Sequence, residues 1–234
     1  MPEKPLGRRP PTDWRHLEKF PLTASFVEVL AEHPRPMAAG FNWYRELDTP
    51  TKDNQGFHWV ARDGKLTRIR GGHCVCLKPA GISDAVSWHD FYDQGSEGAC
   101  VGFGWSRAMS LFNRLRYDAR WLYHEAQKID EWPGEDYDGT SVRAGGEILR
   151  TVGHRQIYGT QGKTRPVGLS HGIAAYRWAT SVDDVLEVLG MKGKDYVSFL
   201  NSWGRDYPRT VRMPASVLER LLLEEGEFAV PTDR

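Results

Sequence analysis

Residues 94–106 read Gln94-Gly95-Ser96-Glu97-Gly98-Ala99-Cys100-Val101-Gly102-Phe103-Gly104-Trp105-Ser106. A polar, glycine-rich loop runs directly into a stretch of helical apolar spacing, and Cys100 stands at the junction. A thiol at a helix N-terminus faces unpaired backbone N–H groups and the positive end of the helix dipole. Such a setting favours the thiolate, the nucleophilic form of cysteine. Six residues upstream, Gln94 carries a side-chain amide. A loop that folds back can aim that amide and the Cys100 N–H at one oxygen, the requirement of an oxyanion hole. The plainer alternative is a buried structural cysteine that happens to begin a helix.

Two distant stretches weigh against the plainer alternative: Gly71-Gly72-His73 and Asn201-Ser202-Trp203-Gly204. Together with the Gln-Gly-x-x-Gly-x-Cys spacing they resemble the papain-like cysteine peptidases. In that family a Gln-Gly-x-Cys-Gly-x-Cys loop carries the oxyanion-hole glutamine and the nucleophile. A histidine-led strand carries the base, and Asn-Ser-Trp-Gly carries the residue that orients it. The resemblance implies an α+β fold of two lobes, one helical and one an antiparallel β-barrel-like lobe. Residues 1–20 then form a flexible arm and 21–234 the catalytic domain, with a helical lobe at about 85–155 and a β lobe at about 21–80 and 156–234.

The composition fits this reading. The 234 residues suffice for one large domain or two small lobes. The formal net charge is zero, so no nucleic-acid footprint is visible, and no apolar run has transmembrane length. Met1 to Pro11 is basic and proline-rich and lacks the apolar stretch of a signal peptide. The three cysteines are Cys74, Cys76 and Cys100. Cys74 and Cys76 share one face of a strand and are badly placed to bridge. Secreted papain-like enzymes have a cysteine where this loop has Glu97, so a reducing, cytoplasmic compartment is expected, or a virion if the gene is a phage's.

Along the chain, Thr23 to Ala31 has one apolar helical face. Met37 to Phe41 reads as a strand, and Asp48 to Gly56 has turn composition. Trp59-Val60-Ala61 and Leu66 to Arg70 read as a hairpin about Asp63-Gly64. Gly71 to Leu77 is a histidine-led strand. The helix from Cys100 is expected to bury Val101, Phe103, Met109, Phe112 and Leu115. A second helix follows Asp118 with Trp121, Leu122 and Ala126. Thr140 or Ser141 caps a third with Val142, Ile148, Leu149 and Val152, which Gly153 stops. The stretch from Gly153 to Gly168 reads as irregular. A helix begins at Ser181, Tyr196 to Leu200 and Val211 to Met213 form strands, Pro214 opens a helix to Leu223, and Phe228 to Val230 closes the chain as a strand.

Papain-like peptidases run cysteine, histidine, asparagine; here the best histidine strand precedes Cys100. One reading is a relocated strand: Pro34 to Leu77 has the texture the family places just before its Asn-Ser-Trp-Gly strand, where this chain has only the short connector from Gly190 to Tyr196. The other keeps the usual order and makes His171, in Ser170-His171-Gly172-Ile173, the base. His73 is preferred, because such a triad is set by geometry and not by chain order. His154 is a weaker candidate.

The resemblance assigns Cys100 as nucleophile, ion-paired at rest with His73 as base, Asn201 as the residue fixing the imidazole, and Gln94 as oxyanion donor. Trp203 is expected to shield the histidine–asparagine bond. Asp138, Gly139 and Thr140, with Trp203, match the positions that line the family's substrate cleft. No cofactor is expected. Zinc at His73-Cys74-x-Cys76 is disfavoured because adjacent strand residues face opposite ways. The expected partner is a peptide or protein substrate, not nucleic acid or membrane. Amidase, deamidase or transferase chemistry on the same fold is the alternative, as is a non-catalytic adaptor in a larger assembly.

Overall fold

The computed structural model describes residues 33–83, 92–132, 138–160, 163–170 and 172–232. The fold is α+β. Among the described residues there are five α-helices: α1 (Cys100–Asn113), α2 (Ala119–Gln127), α3 (Val142–Thr151), α4 (Val182–Val188) and α5 (Ala215–Leu223). The strands are β1 (Met37–Tyr44), β2 (Thr51–Lys52), β3 (His58–Trp59), β4 (Ile69–Leu77), β5 (His154–Thr160), β6 (Lys163–Ser170), β7 (Ala175–Trp178), β8 (Tyr196–Leu200), β9 (Val211–Pro214) and β10 (Glu227–Thr232). Eight of them form one sheet in the order β2-β3-β9-β8-β4-β1-β10-β7, and β5 and β6 form a separate hairpin. The large sheet is mixed: β3 pairs parallel to β9, and the other pairs are antiparallel. No described helix is long and apolar enough to cross a membrane.

The alternation of strand side chains divides the interior between the two faces of this sheet. On β1 the large residues Met37, Phe41 and Trp43 join Val75, Phe199, Phe228 and the apolar faces of α4 and α5 in one core. The opposite face carries small residues, Ala38, Cys74 and Ala229; α1 and α3 lie against it, and α2 packs on those two helices. Small side chains are what let helices approach this closely. A Cβ on Gly40 would stand 2.5 Å from Val142 Cγ2, and one on Gly104 of α1 would stand 2.6 Å from Cys74 Sγ.

The segment from Pro34 to Ala80 enters and leaves the sheet at one place. The Arg35 N–H donates to the Val188 carbonyl at 2.9 Å, and the Ala80 N–H donates to the Leu189 carbonyl at 2.8 Å. Lys78 N–H donates to Ser198 O at 2.8 Å. Both ends of the segment therefore rest on the connector between α4 and β8. At Gly190 (φ +66°) a Cβ would meet Pro34 at 2.5 Å and Ala80 at 3.6 Å, so glycine is needed for conformation and for space.

Several local expectations need correction. Trp59 does not pair with the stretch before β4; the hairpin is β2 with β3. Asp53 decides this, accepting from the backbone of Gln55 and Phe57 and from Trp59 Nε1, each at 2.8–2.9 Å. Residues 154–170, read as irregular, are the β5–β6 hairpin. Tyr158, Val167 and Leu169 there are exposed, so no buried face produces an apolar alternation to read. The hairpin attaches beside α2, with Asp118 N–H on Arg155 O and Ile157 N–H on Arg116 O. Leu115 and Val152 are exposed because α1 ends at Arg114, in the left-handed region, and Val152 follows the last turn of α3. The helices after Asp118, Ser141 and Ser181 start where expected, and each of these residues caps its helix, Ser181 in a capping box with Asp184. The expected helix at Thr23 to Ala31 lies outside the described residues.

Candidate active site

His73 sits near the middle of β4, opposite Phe41 of β1. Its ring is 2 % exposed. Trp43 meets it edge-on at 4.7 Å between centroids, and Trp203 lies at 5.1 Å. Its Nε2 is 2.7 Å from Asn201 Oδ1. The same oxygen accepts the Ser202 N–H at 2.7 Å. A backbone N–H can only donate, so the atom it meets is the amide oxygen, and Nε2 must carry the imidazole proton. That leaves Nδ1 of the neutral ring as an acceptor. Nδ1 is buried and has no hydrogen-bond partner among the described residues.

Cys100 opens α1 and is 5 % exposed. Backbone N–H groups of Cys74, Val101 and Cys100 itself point at its sulfur and favour the thiolate, as expected of a helix N-terminus. Burial outweighs them, with a smaller contribution from the Asp138 carboxylate, and the thiol is pushed up to about 11. Burial also pushes His73 down to about 4, against the opposing hydrogen bond from Asn201. The expected resting ion pair is therefore corrected to a neutral thiol and a neutral imidazole. The sulfur rests against the N–H of the residue that follows His73 in β4. Catalytic hydrogen bonds are commonly long before substrate binds.

The Gln94 loop is fastened to the Asn201 loop. Gln94 N–H donates to Ser202 O at 2.9 Å, and Ser202 Oγ donates to Gln94 Oε1 at 2.5 Å. Gln94, buried, donates one Nε2 proton to Glu97 O at 2.9 Å, and the amide carries a second. Gly204 N–H donates to Tyr92 O at 3.0 Å, and a Cβ at Gly204 (φ +65°) would stand 2.6 Å from Asp93 Oδ2. Arg120 of α2 pairs with Glu97 at 2.9 Å and holds the outside of the loop.

Of the expected cleft residues, Asp138 accepts the Gly98 N–H at 2.9 Å and stands beside the Tyr123 hydroxyl, at 3.4 Å. A Cβ on Gly98 would lie 2.5–2.8 Å from Asp138 atoms, so this loop and residue 138 interlock. Gly139 follows, its carbonyl accepting from Gln127. The Thr140 hydroxyl is bound to buried Asp130 at 2.9 Å and faces inward, and the helix cap is Ser141. Trp203 is buried against His73, Trp43 and Tyr207 and serves as a cover for the imidazole. Thus Cys100, His73, Asn201, Gln94, Asp138 and Gly139 gather, while Thr140 does not offer its side chain.

His171 lies outside the described residues, and β6 ends at Ser170, just before it. His154 is fully buried on the far side of α1, with Nε2 2.8 Å from Ser106 Oγ and its ring stacked on Tyr117 at 4.4 Å. Burial pushes it down to about 3, which suits a packing role. Two contributors were not singled out from sequence. Ser202 holds Gln94 through both backbone and side chain, and Trp43 supplies the second wall of the imidazole pocket. Ser202 lies inside the Asn201-Ser202-Trp203-Gly204 motif, so only its role was missed. Trp43 is an ordinary inward strand residue in the sequence.

No protein-family model, curated protein or solved structure matches this chain.

Proposed function

We propose that this chain is a cysteine peptidase of the papain-like kind, two-lobed, with its histidine strand relocated ahead of the nucleophile. The observation that carries the reading is the His73–Asn201 hydrogen bond, Nε2 to Oδ1 at 2.7 Å, from residues 128 positions apart in the chain. It is walled by Trp43 and Trp203, and its strand delivers a backbone N–H to Cys100. The same bond fixes the tautomer that leaves Nδ1 an acceptor, one residue before the N–H that meets the Cys100 sulfur.

In the proposed cycle, substrate binding excludes water and His73 Nδ1 takes the Cys100 proton as the sulfur attacks the scissile carbonyl. The thiolate–imidazolium pair then forms during the reaction, since both groups are neutral at rest. The oxyanion is held by the Cys100 N–H and the second Gln94 amide proton. The imidazolium returns its proton to the leaving amine, a thioester remains, and water activated by His73 hydrolyses it. The Asp138–Gly139 backbone is placed to hold an extended peptide along the cleft.

The test is covalent labelling by a trans-epoxysuccinyl thiol-peptidase inhibitor at neutral pH. Labelling of Cys100, lost in His73→Ala and kept in His171→Ala, is the expected result. Absence of labelling in the native chain would overturn the peptidase reading in favour of an adaptor. Labelling without cleavage of any unmodified peptide, but with turnover of a side-chain amide or a transfer acceptor, would move the assignment to the amidase or transferase alternative.

A further inference from the structure

We propose that Cys74 and Cys100 form a reversible disulfide when a hydroperoxide oxidises the nucleophile, so that Cys74 is a resolving thiol built next to the site. The inference rests on the reading of Cys100 as the thiolate-forming nucleophile. Cys74 has no part in the proposed peptidase cycle, and all three thiols are free and buried.

The packing of α1 on β4 singles out this pair. Cys74 and Cys76 both face α1, being two apart on one strand. Cys74 Sγ lies 2.6 Å from where a Gly104 Cβ would be. Gly104 is one turn after Cys100, about 6 Å along the helix and on the same face. The Cys74 backbone N–H also reaches the Cys100 sulfur, and both residues belong to one apolar cluster. The backbones are thus close enough for the roughly 4.4–6.8 Å Cα separation a disulfide takes. Cys74 Sγ packs on the bare Cα of Gly104, and the bridge requires it to turn about χ1 toward Cys100.

Cys76 is excluded by the same geometry. It clusters with Ala108 and Leu111, two or more turns beyond Cys100, which is about 12 Å along the axis. A Cys74–Cys76 bridge is excluded as well, because residues two apart on a strand stand roughly 6.6 Å apart with parallel Cα–Cβ bonds.

The chemistry balances in two steps. His73 Nδ1 takes the Cys100 proton as the sulfur attacks one oxygen of the hydroperoxide, giving a sulfenic acid and, once that proton passes to the leaving oxygen, water for hydrogen peroxide. The Cys74 thiol then displaces that oxygen as water, and the S–S bond forms. Two thiols are oxidised by two electrons and one peroxide is reduced. The disulfide spares Cys100 from the irreversible sulfinic and sulfonic acids and blocks peptide hydrolysis until a thiol reductant restores it.

The experiment treats the full chain with hydrogen peroxide, alkylates remaining thiols, and maps peptides by mass without reduction. A 74–100 linked peptide with Cys76 alkylated is expected. Epoxide labelling of Cys100 is expected to vanish on oxidation and return with dithiothreitol. In Cys74→Ala the loss is expected to be permanent, with Cys100 found as sulfinic acid. The wild-type mass readout stands even if that variant folds poorly. Sulfinic Cys100 with Cys74 alkylated in the wild type would overturn the inference, as would a bridge that includes Cys76. Reduced protein that labels with epoxide yet forms no 74–100 bridge removes the inference alone. Protein that neither labels nor oxidises removes the peptidase reading with it.

Discussion

Replacing Gly104 by alanine should destabilise the native chain yet cease to do so once Cys74 is alanine. The added methyl would lie 2.6 Å from Cys74 Sγ, 3.3 Å from Val75 O and 3.5 Å from Val75 C. Overpacking of this kind typically costs about 1–3 kcal/mol. Alanine is better than glycine inside a helix by about 1 kcal/mol, which offsets part of the clash. The net loss in the wild-type background should be up to about 2 kcal/mol. In Cys74→Ala the sulfur is gone, and the remaining contacts at 3.3 and 3.5 Å ask only a few tenths of an ångström of relaxation. There the same change should be neutral or stabilising by up to about 1 kcal/mol. The helix preference is common to both backgrounds, so the coupling between the two sites is the clash itself, roughly 1–3 kcal/mol, well above the few tenths expected of independent positions. Urea unfolding of the four proteins under reducing conditions measures it. Equal costs of Gly104→Ala in both backgrounds would refute the contact between α1 and β4 on which the site's geometry depends. Gly104→Ala should also slow epoxide labelling of Cys100, because the clash pushes the His73 strand off the helix, and Cys74→Ala should restore the rate.

Asn201→Ala should cut the rate of Cys100 labelling on the order of tenfold or more while leaving the unfolding midpoint much less affected, since the imidazole loses its tautomer lock; an unchanged rate counts against Asn201 as the orienting residue. Gly98→Ala should be more damaging than Gly95→Ala, because a Cβ at Gly98 strikes Asp138 backbone and side chain whereas one at Gly95, although at φ +64°, meets open space; labelling and melting temperature read both. Stability should peak between roughly pH 6.5 and 9. Burial lowers His73 from 6.5 to about 4, so the unfolded chain takes up the proton first and stability falls as pH drops from 6.5 toward 4, by roughly 3 kcal/mol from that residue. His154, lowered to about 3, acts in the same direction, and Cys100, raised from 9.0 to about 11, causes a loss above pH 9; a flat profile from pH 4 to 6.5 removes this account of both histidines. A gene that starts at residue 81, runs to 190, continues through 34–80 and resumes at 195 should yield a folded protein that labels at Cys100, because both ends of the moved segment already hydrogen-bond to Val188 and Leu189; an unfolded product counts against the relocation.

The parts of this molecule that were readable in advance are those where one residue type answers one local demand. The Ser181–Asp184 capping box, Asp118 and Ser141 each satisfy an orphan N–H at a helix start, and their positions follow from that need. The motif residues were readable as neighbours of the Asn201 segment: His73 bonds the Asn201 side chain, Gln94 bonds Ser202 beside it, and the residue after His73 meets Cys100. The β5–β6 hairpin was not readable, because its apolar side chains point to solvent and its hold on α2 is made by backbone groups and the Arg155–Asp118 ion pair. The turn at Asp48 to Gly56 was readable from composition, but not that the Asp53 side chain closes it so that β3 pairs back on β2 and not forward across Asp63-Gly64. The neutral resting state of Cys100 and His73 was hidden for a different reason. Helix position predicts a stabilised thiolate, whereas burial, which reverses the balance, depends on the whole packing around Trp43, Trp203 and α1.

Neutrality at rest and burial of the imidazole are compatible with chemistry only if binding changes the surroundings of the pair. His73 itself has little freedom, held by Asn201 at Nε2 and by two tryptophan rings. The proposed transfer requires the sulfur of Cys100, whose hydrogen bonds here come from backbone N–H groups, to turn toward Nδ1. A substrate carbonyl placed between the Cys100 N–H and Gln94 would draw the sulfur toward that nitrogen, and developing charge on oxygen would be met by two donors already in place. The thiolate would then be made only where it is consumed. The same arrangement explains why so much of the fastening falls on Gln94, with Ser202 on two of its groups and Glu97 on a third. In the proposed enzyme the donor must stay fixed while the sulfur moves, and the Ser202 contacts tie it to the asparagine segment.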